Sequence, residues 1–143
     1  MTLPGDPPVP TNLVHHIGIA VVDLNSSMDF YHELFGLEPG PIIVRDDIKV
    51  RGCFISVGET NLELLQGTDP ASMISEHISR SGEGIHNVCF EVGEVAEKLK
   101  SLEALGIPLL DKVPKDGLMG GQIGFLDSAA AGGVLIELAQ HNH

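Results

Sequence analysis

Residues 14–22 read Val-His-His-Ile-Gly-Ile-Ala-Val-Val, with bulky apolar side chains at alternate positions 17, 19 and 21. A period of two predicts a strand with one face against a core. The period then changes. Met28, Tyr31, Leu34 and Phe35 recur at helical spacing, behind Asn25 or Ser26 as candidate caps and ahead of Gly36 as a stop. Strand patterns return at about 42–45, 49–57 and 61–66, with Gly58-Glu-Thr as the turn between the last two.

The same succession then starts again. A linker helix at about 70–79 leads into a strand at 85–92. A helix at about 93–105 follows, with Ala96, Leu99, Leu102 and Leu105 on one face and Gly106 as its stop. Strand patterns close the chain at 108–110, 122–126 and 134–140. Val14-His-His-Ile-Gly-Ile-Ala-Val aligns on Ile85-His-Asn-Val-Cys-Phe-Glu-Val at an offset of 71 (16 to 87). Leu62-Glu-Leu-Leu-Gln aligns on Ile136-Glu-Leu-Ala-Gln at an offset of 74 (62 to 136). An offset that holds across a whole module marks a tandem duplication. The expected fold is α+β. Two βαβββ modules, about 13–67 and 84–140, form one curved mixed sheet with helices on its outer face and a cleft on its inner face. Residues 1–12, with Pro4, Pro7, Pro8 and Pro10, read as a disordered tail ahead of one domain at 13–143.

Strand parity selects the cleft residues. With Ile17, Ile19 and Val21 toward the helices, His16 and Gly18 face the cleft and His15 does not. In the repeat, Val88, Phe90 and Val92 take the helix side, leaving Asn87 and Cys89 on the cleft side. Leu62 and Leu64 face the core, so Glu63 faces the cleft. Ile136 and Leu138 place Glu137 likewise. Two carboxylates in one cleft repel unless a cation lies between them or one is protonated. Imidazole, amide oxygen and two carboxylates are a hard donor set, suited to Co, Mn, Zn, Mg or Fe as divalent ions. Cys89 reads as a small filler of the strand face.

Composition narrows the partners. The chain has 143 residues, 20 of them acidic and 8 basic, for a formal charge of −12. That excess argues against nucleic acid and against an anionic membrane surface. Two cysteines in strand patterns suggest no disulfide framework. The absence of a basic and apolar leader pattern adds to the expectation of a cytoplasmic protein. The terminal His141-Asn-His reads as a tail.

These residues carry a resemblance. The segments are His15-His-Ile-Gly-Ile-Ala-Val, Phe30-Tyr-His-Glu-Leu-Phe-Gly-Leu, Leu62-Glu-Leu-Leu, Gly84-Ile-His-Asn, and Gly120-Gly-Gln-Ile-Gly-Phe-Leu through Gly133-Val-Leu-Ile-Glu-Leu. Over about 13–140 the chain resembles the vicinal oxygen chelate (glyoxalase/bleomycin resistance/dioxygenase) superfamily, and within it the methylmalonyl-CoA epimerases. The resemblance implies metal ligands at His16, Glu63, Asn87 and Glu137, the four that parity selects. It implies an isomerase that removes and returns the α-proton of an acyl thioester through an enolate, and a homodimer.

Three positions depart from that family's pattern. Asn87 stands where the family has a second His, so the metal is expected to be weakly held or absent. The third-strand Glu that moves a proton in the epimerases has no counterpart in Val50-Arg-Gly-Cys-Phe, and Asp46 and Asp47 are near it only in sequence. Glu63 and Glu137 are therefore the catalytic candidates. The basic turn before the last strand is replaced by Phe125-Leu-Asp-Ser-Ala, which weakens the case for CoA phosphates. Lys115, Gly120 and Gly121 form a loop expected to contact substrate. The alternatives are a diverged lyase, isomerase or biosynthetic accessory enzyme acting on another thioester or carbonyl compound, or a metal-free binding protein.

Overall fold

The computed structural model describes residues 5–140. The His141-Asn-His segment and the first four residues of the expected tail lie outside them. The protein is α+β. Its elements are β1 (Val14–Ala20), α1 (Leu24–Phe35), β2 (Ile43–Arg45), β3 (Val50–Val57), β4 (Thr60–Gly67), α2 (Met73–Ser81), β5 (Gly84–Val92), α3 (Val95–Ala104), β6 (Lys115–Asp116), β7 (Gln122–Phe125), a 3-10 turn (Ser128–Ala131) and β8 (Ile136–Gln140). With α2 as the linker, the order is βαβββ twice, as the repeat predicted. The chain divides into two compact units, one spanning His15–Val88 and the other combining Cys89 onward with the stretch ahead of His15.

In the His15–Val88 unit the strand order is β2-β3-β4-β1. β1 runs parallel to β4, and the remaining pairs are antiparallel. One face of these strands carries Ile19, Cys53, Ile55, Leu62 and Leu64, and α1 covers it with Leu24, Met28 and Tyr31. Burial of Cys53 in that layer pushes its thiol up to about 11. Leu34 and Phe35 were expected on the packed face of α1 and are instead exposed. Leu34 lies to one side of the 24-28-31 stripe. Phe35 ends the helix, where its ring stacks on Tyr31 at 6.3 Å rather than on the sheet. The cap is Asp23, not Asn25 or Ser26, because its carboxylate accepts from Ser26 N and starts the helix earlier. Gly36 ends it in the left-handed conformation.

In the second unit the order is β5-β8-β7-β6. α3 packs Val95, Leu99 and Leu102 against Phe90, Val92, Ile136 and Leu138. A Cβ on Gly124 of β7 would lie 2.8 Å from Leu99 Cδ1, so bare backbone is what lets the helix sit this close. Ala96 and Leu105, expected on the packed face, are exposed, and Val95 takes their place. The strand expected at 108–110 is reduced to a single bridge between Leu109 and Leu126. Pro108 has no N–H to give a ladder, and β6 pairs with β7 instead. Val9 packs against this core, Thr11 Oγ1 donates to Glu91 O at 2.7 Å, and Glu91 N donates to Leu13 O.

The repeat is visible in one hydrogen bond made twice. Gln66, at the end of β4, accepts from Leu24 N, the first N–H of α1, at 2.9 Å. Gln140, at the end of β8, accepts from Val95 N, the first N–H of α3, at 3.1 Å. Each module thus ties its closing strand to the orphan donors of its own helix. Glu94, at the cap position of α3, makes no side-chain cap bond, so Gln140 supplies it. Gln140→Ala should lower unfolding stability by about 1 kcal/mol. Gln140→Glu, which keeps an acceptor, should recover most of it. Equal urea midpoints for Gln140→Ala and the parent chain would show that this bond contributes nothing.

Candidate active site

Buried polar and charged residues are few. Among the described residues they are His16, Glu63, Ser72, Asn87 and Glu137. Ser72 caps α2 through a bond to Ile74 N. The other four are the residues that strand parity selected. Buried carboxylates and imidazoles are costly unless they are partnered, so ordinary surface positions do not account for this set.

Three of the four lie in the His15–Val88 unit, on the sheet face opposite α1. β1 and β4 pair in the register His16–Asn61 and Gly18–Glu63. This brings His16 Nε2 to 3.4 Å from Glu63 Oε1, with both side chains more than nine-tenths buried. Across β4, Phe54 of β3 is in register with Glu63. Its ring lies edge-on to His16 at 5.7 Å. Phe54 therefore walls the site with an apolar surface that lowers the local dielectric. The sequence reading passed over it, although alternation from Cys53 and Ile55 assigns Phe54 to this face.

Asn87 reaches the same face from β5. An added Cβ on Gly18 would overlap Asn87 Nδ2 and lie 2.9 Å from its Cγ. The amide thus occupies the space that any side chain at 18 would need. Asn87 Nδ2 is 3.0 Å from His86 Nδ1. Asn87 Oδ1 is buried and receives no hydrogen bond from the described residues. A buried orphan acceptor is destabilising until something donates to it or coordinates it. His86 stays neutral at ordinary pH. Burial, then the nearby His77 and Arg80, pull it down to about 4.

Glu137, on β8 of the second unit, is in register with Phe125 of β7 and is buried. The Lys115 ammonium lies 3.4 Å from Asp111 and 4.9 Å from the Phe125 ring centroid. Gly120 has a φ of 86°, and Gly117 N donates to Gly121 O, closing that loop. In the turn before β8, Asp127 accepts from Ala129 N and caps the 3-10 turn, so its carboxylate serves local structure. Asp47 is gripped by Arg45 at 2.7 Å at the surface. Cys89 is fully buried, and neither Cys53 nor Cys89 forms a disulfide.

An imidazole nitrogen, a carboxylate oxygen and an unsatisfied amide oxygen are the donor types that a hard divalent cation takes. The orphaned Oδ1 is the observation that favours such a group, because a cation satisfies it where no donor among the described residues does. The residues present fit a metal.

Comparison with known proteins bears on the same segments. The family model for the Glyoxalase/Bleomycin resistance protein/Dioxygenase superfamily matches residues 15–125. The chain belongs to this superfamily. An uncharacterized protein of Bacillus subtilis (strain 168), YqjC, is 30% identical over 136 residues, 92% of this chain and 97% of its own length. The mitochondrial methylmalonyl-CoA epimerase of Bos taurus is 33% identical over 128 residues, 89% of this chain and 73% of its own. A solved structure of a variant of Streptomyces coelicolor methylmalonyl-CoA epimerase, in complex with 2-nitronate-propionyl-CoA, matches with a TM-score of 0.86 at 29% identity. The match covers 92% of this chain and 95% of that one. The α+β architecture expected from the repeat is thus that of a glyoxalase-superfamily protein. No helix among the described residues is long and apolar enough to cross a membrane.

Gly18 gives this superfamily site a direct mutational handle. Gly18→Ala must displace Asn87, and is expected to lower divalent-metal affinity at least tenfold while leaving the far-ultraviolet circular dichroism unchanged. Calorimetric titration with Co²⁺ checks this, and unchanged affinity would show that Asn87 plays no part in the site.

Proposed function

We propose that the protein is a methylmalonyl-CoA epimerase-like isomerase that removes and returns the α-proton of an acyl thioester through an enolate. The observation that carries this reading is the buried set of His16, Glu63 and the unsatisfied Asn87 Oδ1 on one sheet face. The epimerases among its relatives support it. His16, Glu63, Asn87 and Glu137, the repeat counterpart of Glu63, are the residues that would hold a divalent ion: Co, Mn, Zn, Mg or Fe. Such an ion supplies Lewis-acid stabilisation of the negative charge that develops on substrate oxygen, an effect of several kcal/mol.

The chain's own residues would do the rest. Glu63 and Glu137 are the proposed proton-transfer groups. One carboxylate oxygen takes the α-proton while the C–H electron pair moves into the thioester carbonyl. Return of a proton to the other face of the planar enolate inverts the carbon. Phe54 keeps water from this face and strengthens the electrostatic interactions on it. Lys115, Gly120 and Gly121 are the proposed substrate contacts. Lys115 must leave Asp111 to serve, which costs little because its ammonium is half-exposed and Asp111 keeps its bond from Phe125 N.

One observation favours a second reading within the same chemistry. Asp127 stands in the turn where a basic residue would suit CoA phosphates, and its carboxylate caps the 3-10 turn. A thioester on another carrier, or a small carbonyl compound, fits that turn better than CoA does.

Three measurements test the function. Incubation with methylmalonyl-CoA in heavy water should exchange the α-proton, and His16→Ala should lose at least a hundredfold in rate. No exchange with any acyl-CoA diacid would exclude the CoA reading. Exchange confined to other thioesters would establish the second. Metal analysis of untagged protein should find a stoichiometric divalent ion that a chelator removes together with activity. Asn87→His should tighten metal binding by about 1–2 kcal/mol, roughly tenfold or more, since imidazole is the stronger ligand.

A further inference from the structure

The residues just ahead of the two β1 and β5 site residues have no part in the chemistry above. They are His15 and His86, which occupy equivalent places in the two repeats. Adjacent strand residues ordinarily point to opposite faces, and the sequence places both histidines toward the helices. The structure turns the His15 ring back toward His16, and it sets the His86 ring against His77 of α2, at 4.9 Å, while its Nδ1 meets Asn87. His15 Nδ1 lies 2.7 Å from His16 Nδ1, with the rings edge-on at 5.0 Å. His86 Nδ1 lies 3.0 Å from Asn87 Nδ2. In both repeats the leading imidazole meets its neighbour through the same ring atom.

The chemistry of the two contacts is also the same. Asn87 Nδ2 can only donate, so His86 Nδ1 accepts and carries its proton on Nε2. This orientation leaves Oδ1 as the atom facing the site. The reverse amide orientation would present an NH₂ there, which no cation accepts. For His16 to offer Nε2 as a ligand lone pair toward Glu63, its own proton must sit on Nδ1. His15 Nδ1, at 2.7 Å, is placed to accept that proton. Nε2 and the Glu63 oxygen are then two acceptors 3.4 Å apart, an arrangement that a shared cation relieves. Orienting a ligand by binding its far atom is the general device of outer-shell groups around metals.

We propose that His15 and His86 are paired positioning residues. Each accepts a hydrogen bond through Nδ1 from the residue that follows it, and so fixes which atom of His16 and of Asn87 faces the site. The proposal rests on the metal-site reading of the proposed function. It adds a tautomer to each of two histidines, and it explains why a His precedes the site residue in both modules although only one of those site residues is itself a His.

The test reads tautomers first, for His86 in the metal-free wild-type protein and for His15 in the Zn²⁺-loaded protein, by two-bond ¹H–¹⁵N correlation of the imidazoles assigned with single His→Gln variants. The expected result is an unprotonated Nδ1 and a protonated Nε2 on both His15 and His86, with one Asn87 amide proton slow to exchange. A proton on Nδ1 of either residue would overturn the proposal for that repeat. Co²⁺ titration follows. His86→Phe keeps a ring and removes the acceptor. It should weaken Co²⁺ 10–100-fold and release the slow Asn87 proton, whereas His86→Gln, which can accept through its amide oxygen, should restore both in part. Equal Co²⁺ affinity in His86→Phe and the parent chain would refute the positioning role. Absence of Co²⁺ binding in the parent chain, with the His86 tautomer as expected, would refute the metal reading and leave the His86–Asn87 hydrogen bond standing.

Discussion

Everything about this protein that is not ordinary packing follows from the burial of polar groups on one sheet face. His16 and Glu63 lie within 3.4 Å of each other, and Asn87 Oδ1 receives no donor from the described residues. Withdrawing such groups from water is unfavourable. A chain under selection for stability alone would place apolar side chains there. The two cores, one under α1 and one under α3, hold these positions in place while the positions themselves reduce stability. A bound cation or substrate would recover that loss, which ties ligand affinity to folding stability.

Much of this was legible in the sequence because two periodicities and one repeat agree. Alternation at Ile17, Ile19 and Val21 identified His16, and the offset near 71 carried the same argument to Asn87. The patterns Leu62-Glu-Leu and Ile136-Glu-Leu in the closing strands identified Glu63 and Glu137. All four are among the few buried polar residues. Parity succeeds here because each strand has one aliphatic face that a helix must cover, so the other face is fixed by elimination.

What escaped the sequence depended on register and on local hydrogen bonding. Phe54 could be assigned to the site face by alternation, yet its contact with His16 rests on the pairing of β3 with β4. Parity kept His15 and His86 off the site face, yet both meet the site residue that follows them, because parity describes where a Cβ leaves the backbone and not how a ring folds back. Helix starts moved for a similar reason. Asp23 and Gln66 both serve the first turn of α1, and neither lies in the apolar pattern that marks the helix. The strand expected at 108–110 failed on one missing N–H, at Pro108.

The close approach of Gly18 to Asn87 also limits how this protein can change. A side chain at position 18 and the amide in its present place exclude each other. Substitutions at the two positions are therefore coupled. A side chain at 18 turns the amide out of its place, whichever of the two positions changes first. A relative with a larger residue at 18 has given up the present place of the amide, so the two positions are read together.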